Sequence, residues 1–242
     1  MPRDTEGARA GRVAPILAAL GLFVVASLPF ALWPGLDLAA SAAFIGADGR
    51  FIGADSRWLA AIMDAITLGS RLFAALLLVA TVLAWLPWPP PRAPHAALRR
   101  GLLYVLATLA LGPGLVVNTL IKDHSGRARP VTITEFGGER RFSPAFVVAD
   151  QCPSNCSFVS GHAAFGAMPV AGAFLAATRR RRRAWLAAGF GSGFLVGLGR
   201  MASGAHFASD VVVAVFIVYF VAAACAFALL RARAGPGATD RR

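Results

Sequence analysis

Apolar residues gather in six long stretches, at 13–33, 72–88, 102–121, 158–177, 184–198 and 207–230. A helix needs roughly 20 apolar residues to cross a bilayer, and most of these stretches reach or approach that length. The fifth is short and would use Trp185 and the flanking arginines as interfacial anchors. Backbone groups in lipid must bond to one another within the segment, so the stretches are expected to be helices. The pattern predicts an all-α fold: a six-transmembrane helix bundle over residues 13–231, with a short segment 1–12 before it and a disordered tail 232–242 after it. The first stretch contains Pro15 and Pro29 and is long for a cleaved leader, so it reads as an uncleaved span.

The connecting segments carry weaker patterns. Trp58, Leu59, Ile62, Met63 and Ile66 recur at helical spacing, as in a helix lying flat in the interface or a lid packed on the bundle. Residues 87–94 form a proline-rich turn. Residues 122–157 make a long loop, a length that usually signals function or disorder. Within it, 131–136 alternates like a short strand. There is no internal repeat and no GxxxxGK phosphate loop.

Composition sharpens this picture. The chain is 57% hydrophobic and 15% charged, less charge than a soluble domain of 242 residues carries. Its net charge is +12, and the position of the arginines explains that excess. Segments 1–12, 89–101, 178–183 and 231–242 hold 15 arginines against three acids, whereas the opposite segments hold 9 basic and 9 acidic residues. Excess arginine marks the cytoplasmic side, so both termini are expected inside and the long loops outside. The same rule accounts for Arg179 to Arg183 without a nucleic-acid partner.

Of the three cysteines, Cys225 sits in an apolar stretch and reads as a packing residue. Cys152 and Cys156 share the outward loop, where a local disulfide and two free thiols both remain open. No further ligands stand near them at zinc spacing, and no acidic cluster offers a metal site, so neither metal nor cofactor is expected.

Three polar clusters sit at span ends that the topology places on one outward face. They are Lys122 to Pro130, Ser157 to His162, and Gly199 to Asp210. Residue chemistry at these clusters suits a phosphate. Lys122, Arg129 and Arg200 can neutralise a phosphoryl group and the charge that develops on it. Ser160 and Gly161 would open a helix, with N–H groups and a hydroxyl facing an anion and no side chain at Gly161 to block close approach. His206 can attack phosphorus, and Asp210, four residues on, can share a helical face with it and orient the ring. His162 can protonate a leaving oxygen. Asp210 also lies inside an apolar run, where an acid is a functional candidate by default. A single histidine or arginine at a span end would more often be structural; three such clusters in order argue otherwise.

In order and spacing these clusters resemble the type 2 phosphatidic acid phosphatase family, whose motifs are shared with vanadium haloperoxidases. The family patterns are Lys-x6-Arg-Pro, Pro-Ser-Gly-His and Ser-Arg-x5-His-x3-Asp. Here they stand as Lys122…Arg129-Pro130, Val159-Ser160-Gly161-His162 and Gly199-Arg200…His206…Asp210. Val159 replaces a proline and Gly199 a serine, whose lost hydroxyl Ser203 or Ser125 would have to replace. The resemblance implies His206 as nucleophile, Asp210 as its partner and His162 as leaving-group acid. It implies Lys122, Arg129, Ser160, Gly161 and Arg200 as phosphate ligands. Stretches around 134–138 and 150–161 look like those of bacterial lipid A phosphatases within the family. The implied protein is a metal-independent lipid phosphatase of the bacterial inner membrane with a periplasmic site. Its partners would be a phosphorylated lipid and the bilayer. Phosphatidylglycerol phosphate, phosphatidic acid and undecaprenyl diphosphate are alternative substrates, and a non-catalytic transporter or flippase is the competing class.

Overall fold

A computed structural model of the protein describes residues 3–86 and 93–230. The expected tail at 232–242, and the proline-rich turn up to residue 92, lie outside them. All regular structure among the described residues is helical: α1 (Arg3–Leu32), α2 (Gly35–Ala42), α3 (Arg57–Trp85), α4 (Ala93–Leu109), α5 (Gly161–Gly166), α6 (Gly172–Leu175), α7 (Arg179–Ala202) and α8 (Ala208–Cys225). α4 runs on as a π-helix over Ala110–Ile121, and α8 over Ala226–Leu230. Among the described residues, four helical stretches are long and apolar enough to cross a bilayer: Ala14–Leu32, Arg57–Trp85, His95–Ile121 and Ala208–Leu230. The two other expected spans behave differently. The region 158–177 is a broken helix, α5 and α6 joined by a 3-10 turn at Met168–Ala171, because Pro169 has no N–H to continue an α-helix. α7 is long enough but carries Arg179 to Arg183 in its first turns.

Two local expectations are corrected. The helix expected to lie flat around Trp58 is the start of α3, which continues through Leu72 to Trp85. No proline interrupts it, and Ser56 caps its start by accepting the Leu59 N–H at 3.2 Å. The expected strand at 131–136 is instead two 3-10 turns, Pro130–Thr132 and Thr134–Phe136. Pro130 sets the first turn, and among the described residues the segment's β pairing is an isolated bridge between Ile133 and Arg140.

α8 forms the centre of the bundle. It is apolar around its whole circumference, with Val211, Val215, Val218, Tyr219 and Ala222 buried, and α1, α4, α5 and α7 pack around it. α7 approaches through Gly189, Gly193 and Gly197, one per turn on a single face. A methyl at Gly197 would overlap Val211, and one at Gly193 would meet Val215. Small residues at this spacing let two backbones come close in lipid. In the π segment two side chains reach carbonyls five residues back: Asn118 Nδ2 donates to Pro113 O at 2.7 Å and Thr119 Oγ1 to Gly114 O at 3.3 Å.

The long loop folds back on the end of this bundle. Ala149 N–H donates to Ser125 O and Gln151 N–H to Gly126 O, at 2.9 and 3.0 Å. Gly126 has φ +61°, and any side chain there would run into the Ala149 carbonyl. Cys152 and Cys156 face each other within this loop, their Cα atoms 5.6 Å apart.

Candidate active site

Backbone hydrogen bonds tie the three clusters together. Ser157 N–H donates to Arg127 O at 2.9 Å and Cys156 N–H to Lys122 O at 3.3 Å, joining the second cluster to the first. Ser160 N–H donates to Asp210 O at 3.2 Å, joining it to the third. Val131 N–H donates to Gly204 O at 2.9 Å, closing the ring of contacts. Residues up to 88 apart in sequence, from Lys122 to Asp210, thus meet at one end of the bundle.

His206 is fully buried just ahead of α8. Its Nδ1 lies 2.7 Å from the Ser157 carbonyl oxygen and 3.5 Å from Asp210 Oδ2. A carbonyl can only accept, so the proton sits on Nδ1 and Nε2 keeps its lone pair. That Nε2 is buried and has no hydrogen-bond partner among the described residues. Burial pushes the ring's pKa down to about 4, against the opposing pull of Asp210, so the imidazole is neutral near pH 7. The sequence expectation that Asp210 itself orients the ring is corrected in part. The shorter bond belongs to a backbone carbonyl, because His206 precedes the helix rather than sharing a face of it.

Asp210 is held by others. It accepts Ser157 Oγ at 2.5 Å, the Phe207 N–H at 2.8 Å and Arg127 Nη1 at 2.6 Å. Arg127 is itself fully buried, and its guanidinium also donates to Ser209 Oγ (2.9 Å), the Ser143 carbonyl (2.9 Å) and Asp37 Oδ2 (2.8 Å). Its plane lies 4.0 Å from the Phe207 ring centroid. Asp37, from α2, accepts both the Ser209 N–H (2.9 Å) and the Ser209 hydroxyl (2.6 Å).

Lys122, Arg129 and Arg200 stand close enough to feel one another. Burial, then Arg129 and Arg200, pushes the Lys122 ammonium down to about 8. Arg129 is braced by the Asn155 carbonyl at 2.9 Å, while Arg200 Nε is buried without a partner among the described residues. His162, on α5, meets the hydroxyl of Thr67 on α3 at 3.0 Å through Nε2. Thr67 donates its own proton to Met63 O at 2.9 Å, so it accepts the Nε2–H of His162; in the neutral ring Nδ1 then holds a lone pair and is the nitrogen that would take up and pass on a second proton. Ser160 caps α5 by accepting the Ala163 N–H at 3.4 Å, and a Cβ on Gly161 would press on Asn118 Oδ1. Of the two serines that could replace a missing hydroxyl, Ser203 donates to the Arg200 carbonyl at 3.0 Å, whereas Ser125 Oγ is buried and unpartnered.

A cleft of about 750 Å³ opens from this site between α3 and the π segment of α4. Lys122, Gly161 and His162 line part of it; Ala75, Leu78, Leu106 and Leu109 are among its apolar walls, with Ser70, Arg71 and Asn118 adding polar groups. Among the described residues no three His, Cys, Asp or Glu side chains cluster as metal ligands would.

All eight expected site residues therefore stand together. Sequence reasoning missed Asp37, Arg127, Thr67 and the Ser157 carbonyl. Asp37 carried one faint signal, an acid alone among Leu36, Leu38 and the alanines after it.

Residues 101–233 match the PAP2 superfamily. The chain belongs to this superfamily. It is 44% identical over 121 residues to a lipid A 4'-phosphatase of Francisella tularensis subsp. novicida, covering 50% of this chain and 54% of that protein. It is 41% identical over 107 residues to a lipid A 4'-phosphatase of Rhizobium leguminosarum (44% of this chain, 46% of that protein). A lipid A 4'-phosphatase of Rhizobium etli matches at 49% over 70 residues, 29% of this chain and 27% of that protein. The chain thus spans about half the length, or less, of these curated relatives. No solved structure matches it. The superfamily region begins within α4, so α1, α2, α3, Asp37 and Thr67 lie before it.

Proposed function

We propose that this PAP2 protein is a membrane-embedded lipid phosphatase that removes a phosphate from a lipid head group, with lipid A as the substrate class. The carrying observation is the buried His206, with its Nδ1 2.7 Å from the Ser157 carbonyl oxygen and its Nε2 without a partner among the described residues. Nε2 attacks phosphorus as the phosphorus–oxygen bond to the lipid breaks, and the departing electron pair takes a proton from His162. Water then attacks the phosphohistidine, giving its proton to His162, and the nitrogen–phosphorus bonding pair returns to Nε2. Asp210 stabilises the cationic ring between these steps. Lys122, Arg129 and Arg200, with the Ser160 hydroxyl and the close approach at Gly161, hold the phosphoryl oxygens.

The mostly apolar cleft supports a lipid rather than a soluble ester, because a phosphate alone needs far less than about 750 Å³. In this reading the broken helix Gly161–Leu175 and α7 complete six spans, arginine-rich ends face the cytoplasm, and the site faces the periplasm of a bacterial inner membrane. The paired Cys152 and Cys156 fit that oxidising side as a local disulfide. Lipid A is favoured by the names of the three relatives. Phosphate release from lipid A by the purified protein, beside His206→Ala, is the test. Release by the wild type and none by the variant is expected; wild-type release from His206→Ala would end the mechanism, and release only from another phospholipid would move the substrate.

A further inference from the structure

Asp37 belongs to no motif, precedes the superfamily region, and yet touches the first turn of α8. The start of this helix lacks the usual cap. Phe207 occupies the cap position with a side chain that has no oxygen. The turn's N–H groups are met from elsewhere: that of Phe207 by Asp210, that of Ser209 by Asp37. Asp37 thus caps, from another helix, the turn that follows the nucleophile directly.

Charge gives the contact a second consequence. Asp37 and Asp210 bring two negative charges to the single guanidinium of Arg127, and all three side chains are at most 1% exposed. Burial and the neighbouring Asp210 raise the Asp37 carboxyl, while Arg127 and Ser209 hold it toward the charged form; with both carboxylates ionised the set carries one net negative charge beside His206. With Asp37 neutral, Arg127 would cancel Asp210 and leave nothing to balance a cationic ring. Arg127 itself cannot serve as a phosphate ligand as placed, since its bonds run to Asp37, Ser143, Ser209 and Asp210 and Phe207 covers its face.

We propose that Asp37 and Arg127 are positioning residues for the nucleophile, fixing the first turn of α8 and leaving the Asp210 charge available to the His206 ring. The inference rests on the reading of His206 as nucleophile. It makes the segment before the superfamily region part of the catalytic apparatus rather than only an anchor.

The test uses full-length protein in mixed detergent–lipid micelles with 32P-labelled lipid A, following phosphohistidine by rapid quench and phosphate release at steady state. Asp37→Asn is expected to slow phosphohistidine formation at least tenfold with KM within threefold. In an Asp210→Asn background the same change is expected to add less than twofold, because the route through Asp210 is already cut. A purely structural role would raise KM as well and multiply undiminished in that background, and either result overturns the proposal, as does Asp37→Asn reacting at the wild-type rate. Thermal unfolding shows whether the variant stays folded. If it does not, Ser209→Ala, which removes one hydroxyl from the same bridge, carries the test. At least threefold slowing with the same non-additivity is then expected, and a wild-type rate overturns the proposal. Loss of phosphohistidine in His206→Ala alongside additive Asp37→Asn would sink this inference alone, whereas full activity in His206→Ala would sink the reading beneath it.

Discussion

The Nδ1 of His206 lies 2.7 Å from the carbonyl oxygen of Ser157, so the main chain of one motif selects the tautomer of the histidine in the next. The Ser157 hydroxyl turns the other way and donates to Asp210 at 2.5 Å. Ser157→Ala keeps the carbonyl and removes only the second contact. A hydrogen bond to a charged group contributes roughly 1.5–3 kcal/mol, so kcat should fall by about tenfold or more with the tautomer intact. Steady-state kinetics with unchanged thermal unfolding would check it; an unchanged kcat would show that Asp210 does not need this bond.

Lys122 sets an alkaline limit. Its ammonium is pushed down to about 8, chiefly by burial, so the cation is present below that pH and lost as pH rises through it. kcat/KM should therefore decline through about pH 8. His206, pushed down to about 4, stays neutral throughout that range. Lys122→Arg keeps its charge and should abolish the decline, whatever it costs at the plateau. A decline that persists in the arginine variant belongs to another group.

Thr67 holds His162 from α3 and matches no family motif. Thr67→Val keeps the shape and removes the acceptor. With its acid free to turn, the enzyme should lose about tenfold in kcat, the scale of a lost buried hydrogen bond. Activity toward esters with good leaving groups, which need little protonation, should fall less. Equal losses on both classes would assign Thr67 to packing alone.

The cleft makes a steric prediction. Ala75→Trp would fill the stretch between Leu78 and the π segment of α4 while leaving Lys122, Gly161 and His162 unsubstituted. Hydrolysis of a long-chain lipid phosphate should drop at least tenfold, while a short soluble phosphomonoester should be cut as before. Parallel assays on the two substrates decide it, and unchanged lipid turnover would place the acyl chains elsewhere.

The glycine face of α7 carries stability rather than chemistry. Gly197→Val would press on Val211 of α8 and should cost about 1–3 kcal/mol, the usual range for overpacking. A lowered unfolding temperature in detergent would register it. A variant as stable as the wild type would mean that α7 can back away from α8.

How much could be read beforehand depends on the range of each interaction. The apolar runs fixed the helices, since lipid and helix geometry act within a segment. Two of the runs make less regular helices than the pattern suggests, since Pro169 breaks one and five arginines open the other. The alternation at 131–136 misled because a strand needs a partner strand, and Pro130 begins a tight turn instead. Lys122, Arg129, Ser160, His162, Arg200, His206 and Asp210 were legible because their chemistry is local in type and spacing, and the backbone bonds among their loops bring them together.

What the sequence could not contain is the choice of partners across the bundle. Arg127 and Asp37 are 90 residues apart, and Ser209 and Asp37 are 172 apart. Nothing in either neighbourhood names the other, because a buried charge accepts any opposite charge that reaches it. The apolar pattern and the polar clusters therefore determined the helices and the reactive groups. The packing of α2 against the start of α8 decided that two carboxylates, Asp37 and Asp210, share one guanidinium beside His206, since only a folded interior excludes the water that would otherwise satisfy them.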